Sequence, residues 1–201
     1  MIQADFIGAT EALPEGFVYQ PEFLSRDEEC VLLGIMRSLP FKEAEYREWQ
    51  AKRRIVSYGG HYDFTHHTLK SAVAIPDFIY PLRERIASWA RISPSTIHHA
   101  VIAEYPPGTQ LGWHRDVPDF EQILGVSLGG PTRMRLRPYP PKRGARFAHI
   151  VVLSPRSAYA FRGNARWNWQ HSISPTKELR YSITFRTLRP ESSNWRQRHA
   201  R

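Results

Sequence analysis

From His99 to Leu188 the chain offers eight short strand-forming stretches, at 99–105, 111–116, 122–128, 132–138, 147–153, 157–162, 169–174 and 179–188. No helical periodicity intervenes, and a proline or glycine breaks the run at every junction. Parallel strands need long crossover segments, usually helical, so strands this closely spaced must pair antiparallel. Such strands bury their apolar faces by stacking as two sheets, in a sandwich or jelly roll. With 201 residues, 41% of them hydrophobic, the chain can fill one core, and a single domain over 1–201 is expected.

The residues before this run add two helices. Ser25-Arg26-Asp27-Glu28 has the serine and the glutamate of a capping box. Val31, Leu32, Ile35, Met36 and Leu39 then follow at helical spacing as far as Pro40. Pro76 opens a second helix, whose Phe78, Ile79, Leu82, Ile86 and Trp89 share one face. Both stripes are expected to buttress one face of the sheet. Phe17-Val18-Tyr19 with Phe23-Leu24 suggests a first strand. The one cysteine, Cys30, lies within the first helical pattern and is expected to be buried; alone it makes no internal disulfide and no cysteine-based zinc site.

The chemistry begins at His114-Arg115-Asp116. Two residues apart on an extended chain, His114 and Asp116 project to one side, an imidazole beside a carboxylate. Such a pair is two-thirds of a facial triad for ferrous iron, and His171 in Trp169-Gln170-His171-Ser172-Ile173 is a candidate third ligand. Taken alone, His171 could as well be structural. In Arg180-Tyr181-Ser182-Ile183-Thr184-Phe185-Arg186 the arginines, Ser182 and Thr184 share one strand face, and Tyr181, Ile183 and Phe185 share the other. Two guanidinium groups inside a sandwich are costly without an anion, and a dicarboxylate that chelates iron would supply one. Trp113, next to the metal ligand, is expected in the core.

Charge suggests a partner. The formal net charge is +9, with a pI near 10.0, which favours a polyanion and nucleic acid first. Segment 41–75 interleaves bases and rings, including Arg53, Arg54, Tyr58, Tyr62, His66 and His67. It is either a nucleic-acid surface or a strand pair with a solvated edge. Arg133, Arg135 and Arg137 make one face of their strand cationic and lead into the basic loop 138–146, which is either a charged edge guarding against aggregation or a groove for phosphates. The tail 190–201 is basic. Without an apolar leader or membrane span, a cytoplasmic monomer is expected.

Tyr105, the Pro107-Gly108 turn, His114-Arg115-Asp116, Ser127-Leu128-Gly129, His171 and Arg180–Arg186 together resemble the AlkB family of iron(II)- and 2-oxoglutarate-dependent dioxygenases, over residues 17–189. The resemblance implies a mainly β fold, a double-stranded β-helix of about eight antiparallel strands (core 97–189). It implies that His114, Asp116 and His171 bind iron. Arg180, Tyr105 and Ser182 would hold 2-oxoglutarate, with Arg186 near its metal-chelating end. Segment 46–67 would be a nucleotide-recognition lid, with Tyr58, Tyr62 and Arg143 as substrate contacts. The implied reaction consumes O2, removes N-methyl groups from DNA or RNA bases, and releases formaldehyde, succinate and carbon dioxide. Ala103 and Ser182 replace asparagines common in the family, and Pro118 stands where the family has an acidic residue two after the metal aspartate, a departure that bears on base preference. Two other readings stay open: an oxygenase of this fold acting on a protein or small molecule, and a nucleic-acid-binding module with a vestigial site.

Overall fold

The computed structural model describes residues 13–46, 49–63, 68–70, 73–141 and 149–190. All eight expected strands of the second half are present: β6 (Ile97–Tyr105), β7 (Leu111–His114), β8 (Phe120–Gly129), β9 (Thr132–Pro138), β10 (His149–Leu153), β11 (Ser157–Phe161), β12 (Trp169–Ile173) and β13 (Arg180–Leu188). Before them come β1 (Phe17–Gln20), α1 (Arg26–Met36), β2 (Lys42–Tyr46), β3 (Trp49–Tyr58), β4 (His61–Asp63), β5 (Thr68–Lys70) and α2 (Tyr80–Ala90). A short helix, α3 (Gly163–Trp167), precedes β12 and has no counterpart in the sequence pattern.

Among the described residues the strands form a seven-stranded sheet, ordered β1-β11-β8-β13-β6-β3-β2, and a four-stranded sheet, ordered β10-β9-β12-β7; β4 and β5 pair separately. The pairings are antiparallel. Four of the eight core strands lie in each sheet, which is the expected jelly roll. The small sheet faces the large one across Phe17, Phe120, Ile123, Met134, Leu136, Leu153, Phe161 and Ile173. The other face of the large sheet is covered by Leu32 and Met36 of α1 and Leu82 and Ile86 of α2, packed with Ile102, Val126, Tyr181, Ile183 and Phe185.

Local chemistry explains the boundaries. The capping box forms: Glu28 N donates to Ser25 Oγ at 3.1 Å, and Ser25 N donates to Glu28 Oε2 at 2.8 Å. Helix α1 stops at Met36, short of Pro40, and residues 37–39 turn. Phe23 and Leu24 lie outside β1; both backbone N–H groups donate to the Arg156 carbonyl. Two sequence expectations fail on α1. Cys30 is exposed and Val31 is 63% exposed, because the buried stripe runs through Leu32 and Met36, and residues one or two positions before Leu32 point away from it. Gly125 is demanded by packing: a Cβ there would overlap the Tyr159 ring, which crosses it from the adjacent strand.

Candidate metal and co-substrate site

The two metal-ligand strands are neighbours. In the small sheet β12 pairs with β7 so that His171 stands opposite His114, and Asp116 follows two residues past the end of the strand. One donor atom from each of His114, Asp116 and His171 lies within 4.8 Å of the others. The imidazole rings sit 4.1 Å apart, centroid to centroid, and Phe161 stacks on His171 at 4.8 Å. His114 Nδ1 lies 2.9 Å from the Gly112 carbonyl oxygen, which favours Nδ1–H and leaves Nε2 as the ligand atom.

Electrostatics sets these groups in ligating form. Burial lowers the proton affinity of both histidines; the same burial, then the neighbouring His114, pulls His171 down to about 3, so both rings stay neutral at pH 7. Burial pushes the Asp116 carboxyl up, but Arg186 first, then His171, His114 and Arg166, together more than offset it and hold the carboxyl well below its usual range. Arg186 Nε and Nη2 both donate to Asp116 Oδ1, at 3.0 and 2.7 Å. The other oxygen, Oδ2, faces His171 Nε2 at 3.8 Å. Two neutral imidazoles and one carboxylate suit ferrous iron, so the donor chemistry fits.

The second half of the site is a buried cation. Arg180 is only 1% exposed. Its Nε donates to Ser127 Oγ at 3.1 Å, and its guanidinium lies 4.8 Å over the Tyr105 ring. Nη1 is buried without a hydrogen-bond partner, and no carboxylate pairs with this cation among the described residues. A buried guanidinium in that condition costs several kcal/mol unless an anion joins it, about 3–5 kcal/mol where a buried pair is broken. Tyr105 and Ser182 are buried beside each other, and a Ser182 hydrogen bond reaches the tyrosine. A carboxylate is the anion whose geometry fits a guanidinium fork.

Three further groups escaped the sequence reading. Arg53 of β3 reaches Tyr105 Oη with Nη1 at 3.5 Å, and its Nε is buried without a partner among the described residues. Tyr159 of β11 is buried among Arg180, Tyr105 and Thr184. Arg166 of α3 is buried under the metal loop: Nη2 donates to the carbonyls of Asp116, Val117 and Phe120, at 3.2, 2.7 and 2.9 Å. Each is set by tertiary placement; only Arg53 carried a sequence signal, as part of a basic cluster.

Two placements correct expectations. Tyr58 is 8% exposed and belongs to the core beneath the helices, opposite Ala100, so its ring has no free face for a base. The alternation along β3 explains this: Arg53 points to the site, and residues an odd number of positions away point to the helices. Trp113 is not a core tryptophan. As the neighbour of inward-facing His114 it lies on the outer face of the small sheet, with Arg137 at 4.2 Å and Arg135 at 5.3 Å from its ring. Tyr62 lies in β4, whereas His66, His67 and Arg143 lie outside the described residues.

A family model described as the 2OG-Fe(II) oxygenase superfamily matches residues 19–186. The chain belongs to this superfamily. Oxygenases of this superfamily use iron(II), 2-oxoglutarate and dioxygen, and the His-Asp-His donor set suits the first of these. The oxygenase chain is 29% identical to the Alkylated DNA repair protein ALKBH8 homolog of Arabidopsis thaliana, over 79% of this chain and 50% of that protein. It spans about half the length of the curated relatives it matches. Its fold is similar to OsALKBH1, with a TM-score of 0.64 at 18% identity, covering 88% of this chain and 100% of that one. It is also similar to a prolyl hydroxylase from Trichoplax adhaerens in complex with a hypoxia inducible factor fragment, with a TM-score of 0.60 at 18% identity, covering 92% and 88%. The AlkB-like resemblance read from the motifs is therefore supported, whereas the structural likenesses show the fold alone.

Proposed function

We propose that this oxygenase removes N-linked methyl groups from bases in nucleic acid, of the 1-methyladenine and 3-methylcytosine type. The observation that carries the oxygenase half is the buried, carboxylate-free Arg180 beside a His-Asp-His donor set. The nucleic-acid half is supported by the net charge of +9 and by similarity to a relative named for alkylated DNA repair. The chain is taken as one oxygenase domain; among the described residues no helix is long and apolar enough to cross a membrane.

In this reading iron(II), 2-oxoglutarate and dioxygen together supply the oxidising power. The balance is one 2-oxoglutarate, one dioxygen and one N-methyl group consumed, with succinate, carbon dioxide and an N-hydroxymethyl base formed; the last releases formaldehyde. The protein supplies placement. His114, Asp116 and His171 would hold the metal. Arg186 fixes one Asp116 oxygen and keeps the carboxylate ionised. Arg180, with Tyr105 and Ser182, would take the distal carboxylate, with the buried rings of Phe161, stacked on His171, and Tyr159, near Arg180, beside it. A duplex base must be flipped to enter, at a cost of a few kcal/mol that falls when methylation blocks pairing. Tyr62 and Arg143 remain the proposed substrate contacts of the lid and the basic loop.

The test is formaldehyde release, with iron(II), ascorbate and 2-oxoglutarate, from single-stranded DNA, duplex DNA and RNA carrying 1-methyladenine or 3-methylcytosine. Release from at least one of these, abolished in His114→Ala, is the expected result. Succinate formed on a proline-containing peptide but on none of the methylated strands would replace this reading by a protein hydroxylase.

A further inference from the structure

Strand β7 carries His114 inward and Trp113 outward, and the same alternation builds a second surface on the far side of the small sheet. Met134 and Leu136 of β9 are buried between the sheets, so Arg133, Arg135 and Arg137 stand on that far side. Arg135 Nε donates to Ser172 Oγ at 3.0 Å, and Arg137 Nε to Gln170 Oε1 at 2.9 Å. Both guanidinium groups lean on the Trp113 ring. Tyr139 follows, 40% exposed, with the Arg115 guanidinium 3.7 Å over its ring.

Arg115, Arg133, Arg135 and Arg137 have no carboxylate at ion-pair distance among the described residues, unlike Arg54, Arg85, Arg156 and Arg186. A charge guard against edge-to-edge aggregation belongs on an edge strand. Among the described residues the edges of this sheet are β7 and β10, the latter presenting exposed Ile150 and Val152, while Arg133, Arg135 and Arg137 stand on β9, inside the sheet. The edge-guard explanation therefore fails. Four unneutralised cations interleaved with two rings match a single nucleic-acid strand, whose phosphates take the guanidiniums and whose bases stack on the rings. The arginines repeat about 6.8 Å apart along the strand, two residues at a time, which gives the row a pitch suited to an extended polyanion.

We propose that this outer face is a second, non-catalytic contact for the nucleic-acid strand, lying back to back with the metal site. The inference rests on the nucleic-acid reading above. The face is separated from the catalytic centre by the sheet itself, so it holds sequence flanking the methylated base and does not select that base. Long substrates then gain affinity that a trinucleotide cannot.

The experiment compares wild type with Arg133→Gln/Tyr139→Ala, two residues outside the catalytic machinery. Fluorescence anisotropy would follow binding of an unmodified single strand of about 20 nucleotides, longer than one small domain covers, across a salt series. Turnover of a methylated trinucleotide and of the same base in the long strand would be measured in parallel. The expected result is about tenfold weaker binding of the long strand, with a salt slope shallower by about 0.7 because one phosphate is no longer neutralised. Trinucleotide turnover is unchanged, and KM rises for the long substrate only. Equal binding and slope in wild type and variant, with the strand bound by both, overturns the face and leaves the demethylase reading intact. Failure of the wild type to bind any strand overturns both. Wild type holding poly-glutamate as tightly as the oligonucleotide overturns the nucleic-acid assignment of the face in favour of an acidic protein.

Discussion

Among single residues, Arg180 decides most. A cation 1% exposed with an unpartnered Nη1 is held at a cost, and that cost falls when a carboxylate binds. Arg180→Met should therefore leave the ligand-free protein as stable as wild type or more so, read as an equal or higher Tm. Gly125 makes the opposite prediction. Its Cβ would overlap the Tyr159 ring, so Gly125→Ala should destabilise by about 1–3 kcal/mol through overpacking, measured by urea unfolding. Glu28 supplies a pH test. Hydrogen bonds, from Arg85 first and the Ser25 backbone second, pull its carboxyl from 4.5 to about 2. A lowered folded-state value gives stability that is present above 4.5 and lost as pH falls through about 2. Glu28→Gln should thus cost up to about 1 kcal/mol at pH 7, a surface-pair magnitude, and nothing near pH 2.

At the level of strands and helices, the sequence pattern carries most of the fold. All eight strands after His99 appear within a few residues of their expected bounds, because proline and glycine mark each junction and period-2 alternation marks each face. The split of β13 into an outward Tyr181-Ile183-Phe185 face and an inward Arg180-Ser182-Arg186 face also follows from alternation. What escapes the pattern is set by tertiary contact. Helix α3 is five residues long, and its Arg166 matters because it lies beneath the Asp116–Phe120 loop, which no local pattern encodes. Trp113, Tyr58 and Cys30 fail for a related reason: residue type alone does not say which face of a strand or helix a side chain occupies. Arg166→Met removes a buried donor from three loop carbonyls, of which Val117 keeps the Phe120 N–H, at about 1–3 kcal/mol for a carbonyl left unsatisfied. It should lower Tm and weaken metal affinity, as a divalent-ion titration by calorimetry would show; unchanged metal affinity would limit Arg166 to a stabilising role.

For the whole molecule, the fold places one chemistry on each side of the small sheet. Inward-facing residues of β7 and β12 assemble the metal set, while outward-facing residues of β7 and β9 form the cationic, aromatic surface. The large sheet, covered by two helices, carries the buried Arg180 on β13 over the Tyr105 ring of β6. In the proposed enzyme, Arg180 receives the distal carboxylate of a co-substrate whose other end meets the His114-Asp116-His171 centre, and every later step depends on that placement. Anaerobic calorimetry of 2-oxoglutarate into the manganese-loaded protein, wild type against Arg180→Met, measures it without turnover. One equivalent should bind the wild type, and the variant should lose about 10- to 150-fold in affinity, the range of a charge-assisted hydrogen bond. Equal affinity in the two proteins would contradict the assignment of Arg180.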